Sequence, residues 1–137
     1  MSETPTRGIL DTSVLLSLPG IDDPSSLPDE PLITTITLAE LTVGPLVAAS
    51  EEERSARQAH LQQAEADFEP LPFDEAAARA FGSVALSLRR AGRKKRARAF
   101  DALIAAVGLS RGLAVYTCNP GDFEGIEGLD LKPVEGR

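Results

Sequence analysis

The sequence predicts an α/β fold in which helices cover both faces of a mostly parallel sheet. Short apolar runs alternate along the chain with helical segments of about ten or more residues, and this alternation is typical of β-α-β units, whose strands are parallel. Hydrophobic residues make up 42% and charged residues 26% of the 137 residues, which excludes a disordered or collagen-like chain. A chain of this length is expected to form one domain, over residues 1–137.

The first half of the chain is predicted to contain two strands and three helices. The strands are short apolar runs that end at capping or turn residues, and the helices begin at good N-caps or continue over polar, helix-favouring sequence. In order, these elements are a strand at residues 8–10, a helix capped by Asp11, a loop at 20–31, a strand at 32–34, a helix at 37–49 kinked by Gly44-Pro45, and a polar helix at 51–67.

The second half continues the same alternation. Asp74 is an N-cap for a long helix in which Ala77, Val84 and Leu88 recur at helical spacing. Gly112 is a C-terminal stop for the next helix, because glycine readily adopts the left-handed conformation that ends helices. In order, the predicted elements are a strand at residues 68–72, a helix from 75 to near 92, a helix at 100–109, a buried strand at 113–116 and an edge strand at 129–131.

The sequence excludes several kinds of site. Cys118 is the single cysteine and His60 the single histidine, so a disulfide, a multi-cysteine zinc site and a histidine-based metal site or triad cannot form within the chain. We interpret His60, in the polar helix, as a solvated side chain. The apolar stretch at 102–109 is far shorter than the roughly 20 residues that span a bilayer, and the first residues lack signal-peptide features. We therefore expect a cytoplasmic protein without a membrane segment.

Four acidic residues are predicted to lie near the carboxyl ends of the strands, where open parallel sheets bind ligands. They are Asp11, Glu40, Asp101 and Asp122. Each has an ordinary explanation as a helix cap, an exposed helix residue, a partner of the helix dipole or a turn residue. Together, clustered carboxylates would repel one another unless a divalent cation neutralised them, and oxygen ligands alone favour Mg²⁺ or Mn²⁺ over Zn²⁺.

Such a metal site is suited to phosphodiester hydrolysis, because the cation lowers the pKa of water and stabilises charge on a phosphoryl group. Hydroxyl and amide side chains next to the acids are expected to orient carboxylates or water by hydrogen bonds. These neighbours are Thr12, Ser13, Thr117 and Asn119.

A basic strip lies between Arg89 and Arg98. The net charge of −7 argues against a dedicated nucleic-acid binder, but seven of the fourteen basic residues fall in this strip, with no acid among them. Two interpretations are open: a local site that attracts a polyanion, or a solvated helix end whose charges complement the helix dipole.

Four segments of the sequence resemble the PIN-domain ribonucleases, and most closely the VapC-type toxins of bacterial toxin-antitoxin systems. The segments are residues 9–16, 37–44, 100–106 and 116–123. The resemblance implies a three-layer α/β/α sandwich and Mg²⁺- or Mn²⁺-dependent endoribonuclease activity, with Asp11, Glu40, Asp101 and Asp122 as the catalytic, metal-binding acids. It also implies a homodimer, and inhibition by a VapB-type antitoxin whose C-terminal segment lies over the active groove.

Two positions depart from this family pattern. Asn119 stands where some relatives have a second acid, and Cys118 stands where many have a basic residue. In the frame of this family, the basic strip is expected to deliver the RNA backbone to the metal site, because it directly precedes Asp101. The residues of the strip expected to contact RNA are Arg93, Lys94, Lys95, Arg96 and Arg98.

Two other functions remain open from the sequence. The acids could hold together a non-catalytic interaction module that binds a partner peptide. Alternatively, Asp11 could be the nucleophile of a phosphatase that forms an aspartyl phosphate, as in haloacid-dehalogenase-like enzymes. That class requires another Asp two residues later, where this chain has Ser13.

Overall fold

The structure is a computed structural model that describes residues 4–92 and 99–135. Four strands and five helices follow one another in the described chain, with short 3₁₀ turns at Leu18–Gly20, Pro24–Ser26 and Pro120–Phe123. In chain order the elements are β1 (Arg7–Leu10), α1 (Thr12–Ser17), β2 (Glu30–Leu32), α2 (Thr35–Leu46), α3 (Glu51–Asp67), α4 (Glu75–Arg90), α5 (Ala99–Arg111), β3 (Ala114–Thr117) and β4 (Leu131–Pro133).

The strands form one parallel sheet in the order β2-β1-β3-β4. Ile9 in β1 pairs with Leu32 of β2 on one side and with Val115 of β3 on the other. Parallel strands need long crossover connections, which the helices supply. The prediction of an α/β fold with a parallel sheet is confirmed.

The core is divided between the two faces of this sheet, because successive side chains of a strand point to opposite faces. Ile9 and Val115 belong to one apolar cluster, together with buried residues of α4 and α5. Leu10 and Tyr116 belong to a second cluster, with buried residues of α1, α2 and α3. The three-layer α/β/α arrangement is therefore confirmed.

The prediction of a strand at 68–72 is wrong. In this segment Leu71 alone makes a parallel bridge, to Thr34, and its backbone exchanges hydrogen bonds with Ile33 and Thr35. Pro70 and Pro72 flank Leu71, and because proline has no N–H group they cannot extend a ladder.

Other boundaries also differ from the predictions. The strand expected at 32–34 lies at Glu30–Leu32, because Thr34 is used as the N-cap of α2 and accepts a hydrogen bond from the backbone of Thr37. The helix expected to reach residue 49 ends at Leu46, after Pro45 in its last turn. The predicted loop at 20–31 includes a 3₁₀ turn and the start of β2, and the last strand lies two residues later than expected. The helix expected at 100–109 spans Ala99–Arg111, and Gly112 follows it with a φ of 65°.

We predict that Gly8→Ala destabilises the fold, because the ring of Tyr116 packs directly over Gly8. A Cβ atom at position 8 would lie 2.2 Å from Cε1 of Tyr116, and overpacking of this kind costs about 1–3 kcal/mol. Thermal unfolding should show a lower Tm for this variant. Gly82→Ala is the control: a Cβ there meets nothing within 4 Å, so alanine should raise the Tm through its better helix propensity. Equal melting of Gly8→Ala and the wild type would contradict the packing.

Candidate active site

The end of β1 places Asp11 inside the protein as the N-cap of α1. Asp11 is 2% exposed, and its backbone N–H donates to the carbonyl of Tyr116 at 3.0 Å. Its Oδ1 accepts hydrogen bonds from the backbone N–H of Val14 at 3.0 Å and from Ser13 Oγ at 2.6 Å. Among the described residues no donor reaches Oδ2. Oδ2 of this buried carboxylate therefore has no hydrogen-bond partner within residues 4–92 and 99–135.

Glu40 is the second acid of the site and lies on α2. Its Oε1 accepts a hydrogen bond from Thr12 Oγ1 at 2.7 Å. Burial raises the pKa of Glu40 above its ordinary value; the hydrogen bond from Thr12 opposes this shift, and the negative charge of Asp11 adds to it. The structure thus brings Asp11 and Glu40 close enough to repel each other.

The two carboxylates fit a hard divalent cation. An unpaired buried carboxylate oxygen is unfavourable in an apolar surrounding, and a cation beside Asp11 Oδ2 would offset this cost. Over residues 4–92 and 99–135, no three His, Cys, Asp or Glu side chains form a group that could hold a metal. Mg²⁺ is often held by one or two carboxylates and keeps several of its waters, so the Asp11 and Glu40 pair is a sufficient protein contribution.

The other two predicted acids lie on elements at the same end of the sheet. Asp101 is in the first turn of α5, the helix that leads into β3, and in a β-α-β crossover this turn lies near the carboxyl ends of the strands. Asp122 is in the 3₁₀ turn after β3, where its N–H donates to the carbonyl of Asn119 at 2.9 Å. Their convergence with Asp11 and Glu40 on a single ion stays a prediction.

Two of the four expected hydrogen-bonding neighbours contact a carboxylate. Thr12 binds Glu40, and Ser13 binds Asp11 while its Oγ accepts from the backbone N–H of Cys118 at 3.1 Å. Ser13 therefore links the loop after β3 to the site, and Cys118 takes part through its backbone.

The other two neighbours shape that loop. Thr117 is wholly buried, and its Oγ1 accepts from the backbone N–H of Asn119 at 2.9 Å. Asn119 itself is exposed. The structure thus places Thr117 at the end of β3 and Asn119 at the cap of the 3₁₀ turn that carries Asp122.

Thr37 was not singled out from the sequence. It is wholly buried on α2, and its Oγ1 lies 3.0 Å from Thr12 Oγ1. The available signal was its spacing: Thr37 precedes Glu40 by three residues, which places both on one face of a helix.

An open groove of about 390 Å³ begins at Thr12 and Glu40 and extends toward α3. Arg57 and His60 of α3 line its far side. Arg57 donates through Nη1 to the carbonyl of Gly44 at 2.9 Å and forms an ion pair with Glu53. His60 is exposed, as expected, but it lies in the groove and not on an isolated outer face.

The basic strip can be described only at its start. Arg89 and Arg90 are exposed in the last turn of α4. The residues expected to contact RNA, namely Arg93, Lys94, Lys95, Arg96 and Arg98, lie outside the described residues. The role of the strip stays a prediction.

Comparisons with known proteins agree with this architecture. The family model described as PIN domain matches residues 9–128. The chain is 42% identical over 130 residues to Ribonuclease VapC5 of Mycobacterium tuberculosis, with 93% of each chain covered. It is 36% identical over 116 residues to Ribonuclease VapC4 of the same organism, with 81% of this chain and 85% of that one covered.

A solved structure gives the same result in three dimensions. The crystal structure of VapBC-5 from Mycobacterium tuberculosis, a member of the VapBC family of toxin-antitoxin systems, matches with a TM-score of 0.79 and 39% identity. The match covers 95% of this chain and 98% of that chain. None of the helices in residues 4–92 and 99–135 has the length and apolar character to cross a membrane. By sequence and by fold, the chain belongs to the PIN-domain family and, within it, to the VapC-type ribonucleases of toxin-antitoxin systems.

Proposed function

We propose that this chain is an endoribonuclease that depends on Mg²⁺ or Mn²⁺ and acts as the toxin of a VapBC-type pair. One observation carries the proposal: Asp11 is 2% exposed, its Oδ2 has no partner among the described residues, and the carboxylate of Glu40 lies close enough to repel it. A buried carboxylate beside a half-buried one is costly without a counter-ion. Two carboxylates held close together in this way are typical of a cation site used in catalysis.

In this proposal the chain's own residues prepare the site before substrate arrives. Val14 and Ser13 fix Asp11 through Oδ1, and Thr12 fixes Glu40 through Oε1. Asp11 and Glu40 would then hold Mg²⁺ or Mn²⁺ through the carboxylate oxygens that these hydrogen bonds leave available. When bound, the cation lowers the pKa of water and stabilises the negative charge that develops on the phosphoryl oxygens.

Asp101 and Asp122 are proposed to complete this acidic site from α5 and from the 3₁₀ turn after β3. Thr117 and Asn119 hold that turn, through the hydrogen bond between the N–H of Asn119 and Thr117 Oγ1. A fixed loop is needed because the reacting groups must be held close to their productive geometry. The acids would thereby orient both water and the RNA phosphate.

The experiment that tests the activity uses purified chain, freed of any antitoxin, and a mixed RNA substrate. We expect cleavage with Mg²⁺ or Mn²⁺ and none with excess EDTA, and restoration of cleavage when the metal is returned. Protein that neither binds Mn²⁺ nor cleaves RNA would favour a non-catalytic interaction module. A trapped phosphoenzyme would favour the aspartyl-phosphate alternative.

We expect weaker RNA binding, with a smaller dependence on salt, when alanine replaces Arg93, Lys94, Lys95 and Arg96. Each phosphate contact that is lost lowers the number of counter-ions released from the RNA on binding. The strip joins the end of α4 to the start of α5, a few residues before Asp101. Binding to RNA measured over a range of salt concentrations checks this. Mn²⁺ affinity should not change, and unchanged RNA affinity would contradict the role of the strip.

We further propose that the chain forms a homodimer and is inhibited by a VapB-type antitoxin that covers the groove beside Glu40. Two features support a peptide ligand there. The groove is open, and it continues past Leu16, Leu41 and His60 into an apolar hollow of about 140 Å³ that Leu15, Leu18 and Phe68 line. Co-expression with a VapB-type antitoxin and purification of the complex test the partner, and light scattering of the free chain tests the dimer.

A further inference from the structure

Thr37 is a wholly buried threonine whose hydroxyl reaches from α2 to the start of α1. Its Oγ1 lies 3.0 Å from Thr12 Oγ1, and Thr12 Oγ1 donates to Glu40 Oε1 at 2.7 Å. A hydroxyl has one proton to donate. Because the proton of Thr12 is used on Glu40, Thr37 must be the donor to Thr12. The three side chains therefore form a directed chain of hydrogen bonds from Thr37 through Thr12 to Glu40.

This use of a helical threonine differs from that of Thr42 on the same helix. The exposed Thr42 donates its hydroxyl to the carbonyl of Ala39 at 2.6 Å, which is the ordinary local contact of threonine in a helix. The hydroxyl of Thr37 is directed instead to a neighbouring helix. In α2, Thr37 is thus the threonine that links the helix carrying Glu40 to the residue that follows Asp11.

The chain of hydrogen bonds decides which oxygen of Glu40 remains available. Oε1 is occupied by Thr12, whereas no donor in the described part of the molecule reaches Oε2. Each hydrogen bond in such a chain polarises the next, so donation by Thr37 strengthens the hydrogen bond from Thr12 to Glu40. Donation also limits the rotation of the Thr12 side chain, because its oxygen must face Thr37 and Glu40 together.

We propose that Thr37 is a positioning residue for the divalent cation: through Thr12 it holds Glu40 so that Oε2 faces the ion bound by Asp11. This inference rests on the proposed function, in which Asp11 and Glu40 share a cation. Thr37 itself touches neither the ion nor the RNA, and its effect passes wholly through Thr12.

The test is a titration of the purified full-length chain with Mn²⁺, followed by the electron paramagnetic resonance of the free ion. Thr37→Val keeps the shape of the side chain but removes the hydroxyl, and we expect it to weaken Mn²⁺ binding by about 10-fold or more, the loss typical of partners that orient a metal ligand. Thr37→Ser restores the hydroxyl and should retain most of the affinity. Thr42→Val is the matched control and should bind Mn²⁺ as the wild type does.

A double-mutant comparison tests whether Thr37 acts through Thr12. Thr12→Val alone should weaken Mn²⁺ binding, and adding Thr37→Val to it should cause no further loss, because residues that act in one chain are not additive. Thermal unfolding in EDTA monitors the fold of every variant. If the valine variant does not fold, Thr37→Ala, which lacks the hydroxyl and adds no bulk, replaces it in the comparison with Thr37→Ser.

The outcomes distinguish a failure of the role of Thr37 from a failure of the proposed metal site. Equal Mn²⁺ affinity of Thr37→Val and the wild type overturns the role of Thr37 and leaves the metal site intact. Equal losses in Thr37→Ser and Thr37→Val also overturn it, since the hydroxyl would then be irrelevant. Failure of the wild type itself to bind Mn²⁺ overturns the proposed function, and the role of Thr37 falls with it.

Discussion

Asp11→Asn is expected to lower RNA cleavage and Mn²⁺ affinity by at least about 100-fold, more than the 10- to 100-fold loss typical of partners that only orient a metal ligand. The fold should survive, because Asn is as good an N-cap as Asp and its side-chain oxygen can still accept from Val14 and Ser13. The substitution thus removes the charge beside Oδ2 with little other change. A discontinuous RNA cleavage assay and a Mn²⁺ titration measure the two losses.

The matched control for this variant is Asp74→Asn. Asp74 is also an N-cap, for α4, and its Oδ1 accepts from the N–H of Ala77 at 3.0 Å. It is exposed and lies outside the proposed site. This variant should cleave RNA and bind Mn²⁺ like the wild type. Asp11→Asn protein that is folded and fully active would contradict the assignment of Asp11.

Glu40→Gln is expected to abolish activity while making the metal-free protein more stable at neutral pH. Burial and the charge of Asp11 raise the pKa of Glu40, against the hydrogen bond from Thr12. The pKa of Glu40 is therefore higher in the folded state than in the unfolded state. Its stabilising contribution is complete at pH values below the unfolded-state pKa, and it is lost as the pH rises through the folded-state pKa. At neutral pH the ionised Glu40 therefore destabilises the metal-free fold. Glutamine removes that charge and can still accept from Thr12.

Thermal unfolding in EDTA over a pH series measures this effect. The variant should melt above the wild type at neutral pH, and the difference should vanish below the ordinary Glu value of 4.5. Added Mn²⁺ should reverse the order, because ligand binding stabilises the native state of the wild type alone. Glu51→Gln is the control. Arg54 lowers the pKa of Glu51, so removing the charge of Glu51 should not raise the Tm. A less stable Glu40→Gln protein in EDTA would contradict the electrostatic account.

Much of the fold was predictable because local sequence signals agree with tertiary packing. Helix α3 lies at the predicted 51–67, with Ser50 as its cap, and α4 begins after Asp74 as expected. Strand positions were harder to predict, because a residue beside a strand can serve two elements. Thr34 has the sequence character of a strand residue, yet it caps α2, and this choice depends on how the helix packs.

The site was predictable to a lesser degree. The position of Asp11 after β1 and the helical setting of Glu40 follow from the sequence pattern, and the structure places the two together. The direction of the Thr37 hydroxyl could not be predicted, since a threonine in a helix can bind its own backbone or a neighbouring element. That choice is made by the packing of α1 against α2, which sequence periodicity does not specify.

The proposed function requires that Asp11 and Glu40 bind the same divalent ion. Crystals of the free chain soaked in Mn²⁺ and measured near the manganese absorption edge would locate this ion. We expect an anomalous peak between Asp11 Oδ2 and Glu40 Oε2, within coordination distance of both oxygens. No peak at this position in crystals of active protein, or a peak bound to other residues, would contradict it.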